Sequence, residues 1–173
     1  MRALVVYESM FGNTRDVAAA ITEGLAQHSQ VELCEVGSAP AALPDRLDLL
    51  VVGAPTHALG MSRPRTRSQA AEQGSGELVS KGIGVREWLA GLSRGANLTP
   101  TAAFGTKMSR PSWLPGSAAR GIAKRLRRLG HPAAAPPRSF YVVDVSGPLA
   151  EGELQQAQQW GDLLGRTRAA ALG

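Results

Sequence analysis

The chain has 173 residues and a hydrophobic fraction of 43%, which is ordinary for a soluble protein and sufficient for one buried core. No apolar run is long enough to cross a bilayer, and the single Cys34 excludes an internal disulfide and a cysteine-built metal site. The formal net charge of +5 would suit nucleic acid, but the aromatic fraction is only 5% and no nucleic-acid-binding motif is recognisable. We therefore expect a single cytoplasmic domain, residues 1–173, that binds neither nucleic acid nor a membrane.

The first apolar run, residues 3–7, is typical of a buried strand and not of a signal peptide, because no small-residue cleavage site follows it. Residues 8–14 come next and read Glu-Ser-Met-Phe-Gly-Asn-Thr. Val17, Ile21 and Leu25 then recur at a four-residue spacing, which predicts one apolar face of a helix. The chain is therefore predicted to start with a strand, a tight turn and a helix.

The predicted turn has the composition of an anion site. The first N–H groups of a helix have no intrahelical partners, and the helix dipole favours negative charge there. Ser9, Asn13 and Thr14 can add side-chain donors, and Gly12 lets the backbone approach a ligand closely. These residues alone fit two interpretations equally well: a phosphate site, or an ordinary strand-to-helix turn with a polar cap.

Four further strands are predicted within residues 31–36, 47–54, 99–106 and 139–145. The apolar run within 47–54 indicates a parallel sheet covered on both faces, whereas the segment 31–36 alternates less cleanly and fits an edge strand. Helices between consecutive strands would give right-handed crossovers and an α/β fold. Later helices are predicted at about 85–92, from Ser117 to Gly130 with Ile122, Leu126 and Leu129 facing inward, and at about 151–170 with Leu154, Ala157, Trp160, Leu163 and Leu164 facing inward.

Two loops follow strands where open α/β sheets bind ligands, namely at the carboxyl ends of central strands. Residues 55–61 follow the third predicted strand, and residues 105–117 follow the fourth. Both loops are therefore candidates for contact with the same ligand as the turn after the first strand.

Residues 9–14 resemble the phosphate loop of flavodoxins, Thr/Ser-x-Thr-Gly-x-Thr, with Phe11 where flavodoxins usually carry a hydroxyl. An aromatic at this position is similar to the Ser-Met-Tyr-Gly loop of flavodoxin-like NAD(P)H:quinone oxidoreductases. The stretch 55–61 is similar to their Pro-Thr-Arg-Phe-Gly-x-Met, although Ala58 and Leu59 lack the aromatic. The resemblance implies a doubly wound, five-stranded parallel sheet of order 2-1-3-4-5 with helices on both faces. It also implies FMN at the ends of strands one, three and four.

The same resemblance implies which residues bind FMN. The turn after the first strand would hold the phosphate, and the loop at 55–61 would contact the isoalloxazine ring. Trp113 would stack on the ring, or would instead pack on the neighbouring loop. The implied cofactor-binding residues are Ser9, Met10, Phe11, Gly12, Asn13, Thr14, Pro55, Thr56, His57, Gly60, Thr106 and Trp113. No catalytic or metal-binding residue is predicted, because the three histidines are scattered and lack metal-ligand spacing.

The segment 62–84 is interpreted as a long loop insertion. It contains three arginines and four glycines, and it has few residues to bury, so that only a short helix at about 66–73 is predicted. Two interpretations are equally compatible with this composition, a lid over the flavin ring and disorder.

Three hypotheses of function follow. The favoured one is an FMN-binding, flavodoxin-like protein that transfers electrons between partners. The second is an FMN-dependent NAD(P)H:quinone oxidoreductase, which fits less well because the loop aromatic and a dinucleotide motif are lacking. The third is a flavodoxin fold that has lost its flavin and acts as an interaction domain. Whether the protein is an enzyme is left open.

Positive charge is concentrated on one predicted helix face, at Lys124, Arg125, Arg127 and Arg128. A charged helix face is usually only solvated, but this one would also suit an acidic redox partner protein. Flavodoxins that carry electrons are typically acidic, so the net charge departs from that family. The oligomeric state is not predicted.

Overall fold

The computed structural model describes residues 1–73, 78–92, 98–109 and 116–173. Five α-helices and six strands lie in these ranges. The strands are β1 (Arg2–Tyr7), β2 (Gln30–Glu35), β3 (Leu49–His57), β4 (Gly60–Met61), β5 (Thr101–Met108) and β6 (Arg138–Val142). The helices are α1 (Asn13–Ala26), α2 (Pro64–Gln73), α3 (Val85–Gly91), α4 (Ala118–Arg128) and α5 (Glu153–Ala170).

The five long strands form one parallel sheet in the order β2-β1-β3-β5-β6. Because β4 has only two residues and pairs antiparallel with the end of β3, this order is the predicted 2-1-3-4-5. In the central register Val5 lies beside Val51, and Val51 lies beside Ala102. β2 lies at an edge, as its irregular alternation predicts.

Helices cover both faces of the sheet, and alternate strand residues divide the core in two. Val5 and Val51 pack with residues of α1 and α5, including Ile21 and Trp160. Val52, on the opposite face, packs with residues of α3 and α4. The mainly apolar central strands are therefore buried on both sides, as parallel strands in a doubly wound sheet are.

The connection from β2 to β3 has no α-helix. It contains a single 3-10 turn, Val36–Ser38, close to the one helical turn that the Pro/Ala-rich residues 38–45 predict, so helices do not lie between all consecutive strands. Pro40 and Pro44 interrupt this connection, and proline removes a backbone donor and clashes with a preceding helical turn. Trp88 of α3 packs in the core and donates its Nε1–H to the carbonyl oxygen of Pro40, at 2.9 Å.

Two further expectations differ from the structure near the C-terminus. β6 ends at Val142 rather than at residue 145, because Asp144 accepts a hydrogen bond from the Val145 N–H at 2.7 Å and starts a turn. On α5, Leu154 and Leu163 are exposed rather than buried. Ala157, Trp160 and Leu164 are buried as predicted, and the inward face also includes Gly161, which lies against Ile21 of α1, and Gly165, which lies against His28.

The segment 62–84 is more ordered than its composition predicts over the part that the structure describes. It contains α2, which matches and extends the short helix predicted at 66–73. Residues 78–80 lie along the turn after β1, where the Ser80 N–H donates to the Ser9 carbonyl oxygen at 2.8 Å and the Val79 N–H donates to that of Met10 at 3.0 Å. Among the described helices, none combines the length and apolar character of a membrane span.

Candidate functional site

A cleft of about 300 Å³ opens at the carboxyl ends of the central strands. Its residues come from four parts of the fold: the turn after β1, the end of β3, the ends of β5 and β6, and helix α2. The lining residues are Ser9, Met10, Phe11, Asn13, Thr14, Pro55, Thr56, His57, Ala58, Thr66, Gln69, Ala70, Thr106, Lys107, Met108, Val142 and Val145.

The structure brings most of the predicted binding residues together. The turn after β1 contributes five of them, β3 contributes Pro55, Thr56 and His57, and β5 contributes Thr106. Gly12 lies between the lining residues Phe11 and Asn13, and Gly60 pairs with the lining residue His57, but neither glycine itself lines the cleft. Trp113 lies outside the described residues.

The turn after β1 ends in an uncapped helix N-terminus. Gly12 is the N-cap of α1 and has a left-handed backbone, with φ of 98°, a conformation that glycine adopts at least cost. Its N–H donates to the Ser9 hydroxyl oxygen at 3.1 Å, which closes the turn. No side chain caps α1, so the N–H groups of Asn13 and Thr14 lack a helical acceptor. These groups and the helix dipole favour an anion at this end of the cleft.

Two hydroxyls meet at the same end of the cleft. The Oγ1 atoms of Thr14 and Thr106 are 2.7 Å apart, and both residues are buried. One hydroxyl donates to the other, so the second hydrogen of the pair is not used between them. The pair can therefore donate one hydrogen bond to a ligand.

Asn13 contributes less to the anion site than its sequence position predicts. Its Nδ2 donates to the carbonyl oxygen of Ser146 at 3.0 Å, which joins the turn after β1 to the turn after β6. A Cβ at Gly147 would lie 2.6 Å from the Asn13 Oδ1, so the turn after β6 packs tightly on this side chain. The Asn13 side chain therefore holds one wall of the cleft.

The loop after β3 is a tight hairpin. Thr56 pairs with Met61, and His57 pairs with Gly60, which leaves Ala58 and Leu59 at the turn. Both have positive φ, 43° and 73°, as a type I′ turn requires.

His57 lines the cleft at the end of this hairpin. Burial lowers its pKa below the ordinary value, and the nearby charge of Arg67 lowers it further, whereas a hydrogen bond to the backbone of Thr66 raises it. The lowered pKa means that this imidazole is mainly neutral near pH 7.

The α2 wall lies in the segment 62–84, for which a lid over the ring was one of two interpretations, but none of its residues was predicted individually to line the site. Thr66, Gln69 and Ala70 line the cleft. The sequence pattern predicts this helix only weakly, because few of its residues are apolar and no periodic apolar face results. Lys107 and Met108 lie within the candidate loop 105–117 but were not named among the predicted binding residues. The predicted strand order could have identified these two residues, because it places the carboxyl ends of neighbouring strands at one edge of the sheet.

The structure also shows what the site does not contain. Within the described ranges, no three His, Cys, Asp or Glu side chains are grouped so that they could hold a metal ion.

Comparison with known proteins identifies the fold. No family model and no curated protein matches the sequence. A flavodoxin from the domain Archaea is 22% identical over 97% of this chain and 99% of its own, with a TM-score of 0.67. A WrbA-like flavodoxin from Agrobacterium tumefaciens is 16% identical over 98% of each chain, with a TM-score of 0.59.

A larger protein contains the same fold as one part. Rubredoxin oxygen:oxidoreductase from Desulfovibrio gigas is 17% identical over 99% of this chain but only 37% of its own, with a TM-score of 0.65. The fold of the present chain is therefore flavodoxin-like, as the resemblance of residues 9–14 implies.

Proposed function

We propose that the protein binds FMN in the cleft and acts in electron transfer. The observation that carries this proposal is the position of an uncapped helix N-terminus at one end of the cleft. Such a terminus suits a phosphate, and it lies where doubly wound sheets bind mononucleotides. When bound, FMN would supply the electron chemistry, while the protein would hold and orient it.

The residues of the cleft fit both ends of FMN. At the phosphate end are the N–H groups of Asn13 and Thr14 and the free donor of the Thr14–Thr106 pair. The lining also contains apolar residues that suit the isoalloxazine ring, with Ala58, Met108 and Val145 among them. A cleft that combines a few directed polar groups with apolar walls is typical of a cofactor site.

Two observations favour an electron carrier over a quinone oxidoreductase. His57 lines the cleft but is mainly neutral, so it is a poor proton donor to a reduced quinone. Arg67 could have bound a dinucleotide phosphate, but its Nη1 lies 3.0 Å from the Glu87 carboxylate and is already paired.

We also propose an acidic protein as the redox partner, on the evidence of α4. Arg120, Lys124 and Arg127 are exposed on this helix, and the helix contains no acidic residue. The N-terminus of α4 adjoins the cleft, because the Ala118 N–H donates to the Thr56 hydroxyl oxygen at 3.1 Å. A cationic surface next to the cofactor would steer an acidic partner toward it.

The test of FMN binding is a comparison of FMN with riboflavin, which lacks the phosphate. Fluorescence titration should show that FMN binds much more tightly. Thr14→Val should weaken FMN binding by about 1–3 kcal/mol, the scale of a lost hydrogen bond to a charged group, and should leave riboflavin binding nearly unchanged.

The matched control is Thr22→Val, because the Thr22 hydroxyl donates to the Ala18 carbonyl oxygen on the same helix and does not line the cleft. This variant should bind FMN like the wild type. Equal affinity of the wild type for FMN and riboflavin would refute the phosphate site, and no binding of either would refute the proposed function.

A further inference from the structure

A buried carboxylate lies directly before the turn that would hold the phosphate. Glu8 is fully buried, and its two oxygens accept hydrogen bonds from different parts of the segment 62–85. Oε1 accepts from the hydroxyl of Ser62, and Oε2 accepts from the Val85 N–H at 2.8 Å. The pKa of the Glu8 carboxyl is raised, because burial outweighs these two hydrogen bonds and the charge of Arg67, which lower it. A buried carboxylate is retained at such a cost only where it is well paired.

Arg67 connects this carboxylate to α2. Its Nη1 donates to the Ser62 hydroxyl oxygen at 2.9 Å and lies 3.0 Å from the Glu87 Oε2, which also accepts from the Gly84 N–H at 2.8 Å. We call Glu8, Ser62, Arg67 and Glu87 the Glu8 cluster. The backbone packs closely around it, because a Cβ at Gly84 would lie 2.7 Å from the Glu8 Oε2.

The cluster includes Arg67 of α2, the helix that forms one wall of the cleft. Thr66, next to Arg67 in sequence, lines the cleft together with Gln69 and Ala70. Of the described residues of α2, only Ala70 is a buried hydrophobic residue. Because apolar packing contributes so little, polar contacts through Arg67 must supply much of what holds this helix against the sheet.

We propose that Glu8 and Arg67 are positioning residues, which hold α2 as the wall of the cleft and thereby slow the release of the bound FMN. This rests on the proposed function for the identity of the ligand. The positioning role itself does not depend on FMN, because the cluster is complete within the protein.

The first experiment measures the position of α2 without cofactor, by amide hydrogen exchange of the apoprotein. Glu8→Gln and Arg67→Met should each increase exchange in α2 by at least about tenfold, while α1 and α5 stay protected, since a charged hydrogen bond is removed locally. Arg67→Lys keeps the charge and should restore part of the protection. If Glu8→Gln does not fold, Arg67→Met carries the test, because Arg67 retains some solvent exposure.

The control for general loss of stability is Trp88→Phe on α3. This change removes the hydrogen bond from the Trp88 side chain to the Pro40 carbonyl oxygen and leaves the residues of the Glu8 cluster unchanged. This variant should leave exchange in α2 unchanged. Unchanged exchange in α2 for both Glu8→Gln and Arg67→Met would overturn the positioning role, as would an equal effect of Trp88→Phe.

The second experiment measures dissociation of FMN by stopped-flow fluorescence. Glu8→Gln and Arg67→Met should release FMN about tenfold faster or more, with a smaller change in the association rate, because affinity differences arise mainly in dissociation. Faster exchange in α2 with an unchanged dissociation rate would overturn the link to FMN release. Failure of the wild type to bind FMN would refute the proposed function, while the exchange experiment would still decide the positioning role.

Discussion

The hairpin turn after β3 holds two L-residues in a conformation that they adopt at a cost. Ala58 and Leu59 both have positive φ. In this conformation the Cβ lies too close to the backbone, which costs roughly 1–2 kcal/mol per residue. Type I′ turns usually contain Asn-Gly for this reason. Ala58 lines the cleft, and the Leu59 carbonyl oxygen packs against Gly116, two residues before α4. Strain of this kind persists where neighbouring structure enforces it, and functional sites are the usual location.

Relief of this strain is expected to stabilise the protein. Leu59→Gly should raise the free energy of unfolding by about 1 kcal/mol, because glycine adopts positive φ without a steric penalty and Leu59 is 46% exposed. Urea denaturation would measure the change. Gly60→Ala is the control for general effects of residue size in this loop, because a Cβ there would meet open space. A less stable Leu59→Gly variant would show that the leucine side chain contributes more packing than the turn loses in strain.

At the scale of elements, the closest helix pair is α1 with α5, and glycines define its contact. A Cβ at Gly24 would overlap the carbonyl oxygen of Gln158, and one at Gly161 would overlap that of Ile21. The two backbones therefore touch where these residues face each other. The predicted inward face of α5 was therefore only partly right. Ala157, Trp160 and Leu164 are buried as predicted, but part of the contacting surface is the backbone at glycines, which a stripe of large apolar residues does not reveal.

This contact predicts an unusual response to a glycine-to-alanine change. Alanine favours a helix by about 1 kcal/mol, yet Gly161→Ala should lower the free energy of unfolding by roughly 1–3 kcal/mol, because overpacking forces the helices apart. The matched control is Gly121→Ala in α4, where the new Cβ would make ordinary contact with Met61 at 3.5 Å. That variant should be as stable as the wild type or more so. A stabilised Gly161→Ala variant would contradict the proposed close contact.

At the scale of the whole molecule, charge is distributed so that one helix beside the cleft is strongly basic. The net charge is +5, and the exposed cations of α4 lie on a helix that starts at the cleft. The electrostatic field around such a helix can be measured with small charged redox reagents. The rate at which a reagent reacts with a bound cofactor depends on the protein charge nearby, and salt weakens this dependence by screening the charge.

We expect the reduced, FMN-loaded protein to react with ferricyanide, an anion, at a rate that falls as salt is added. The doubly substituted variant Arg120→Glu/Lys124→Glu should react several-fold more slowly at low salt and show a weaker salt dependence. Stopped-flow absorbance would measure the rates. Arg2→Glu/Arg46→Glu makes the same change in net charge near the other end of the sheet, where β1 and β3 begin, and should change the rate much less. Equal effects of the two double variants would contradict a local docking surface.

The sequence predicted the long strands and the turn after β1 well, because both depend on local patterns. The apolar runs correctly predicted β1 and β3. Residues 9–14 correctly predicted the turn and the start of α1, which line the cleft. It could not predict that the Asn13 amide binds Ser146, since that contact joins segments 133 positions apart. Nor could it predict the α2 wall, which depends on Arg67 and buried hydrogen bonds rather than on a periodic apolar face.

The two edges of the sheet bear on the tendency of the protein to aggregate. An open edge strand offers unpaired backbone groups to other chains, and proteins protect such edges with charge or with their own segments. At β6 the Tyr141 N–H donates to the Glu153 carboxylate at 3.0 Å, and the Tyr141 carbonyl oxygen accepts from the Ala150 N–H at 2.9 Å. At β2 the exposed Glu32 places a negative charge on the edge strand. One edge is thus closed by its own chain and the other is charged, so neither is a favourable template for the addition of a foreign strand.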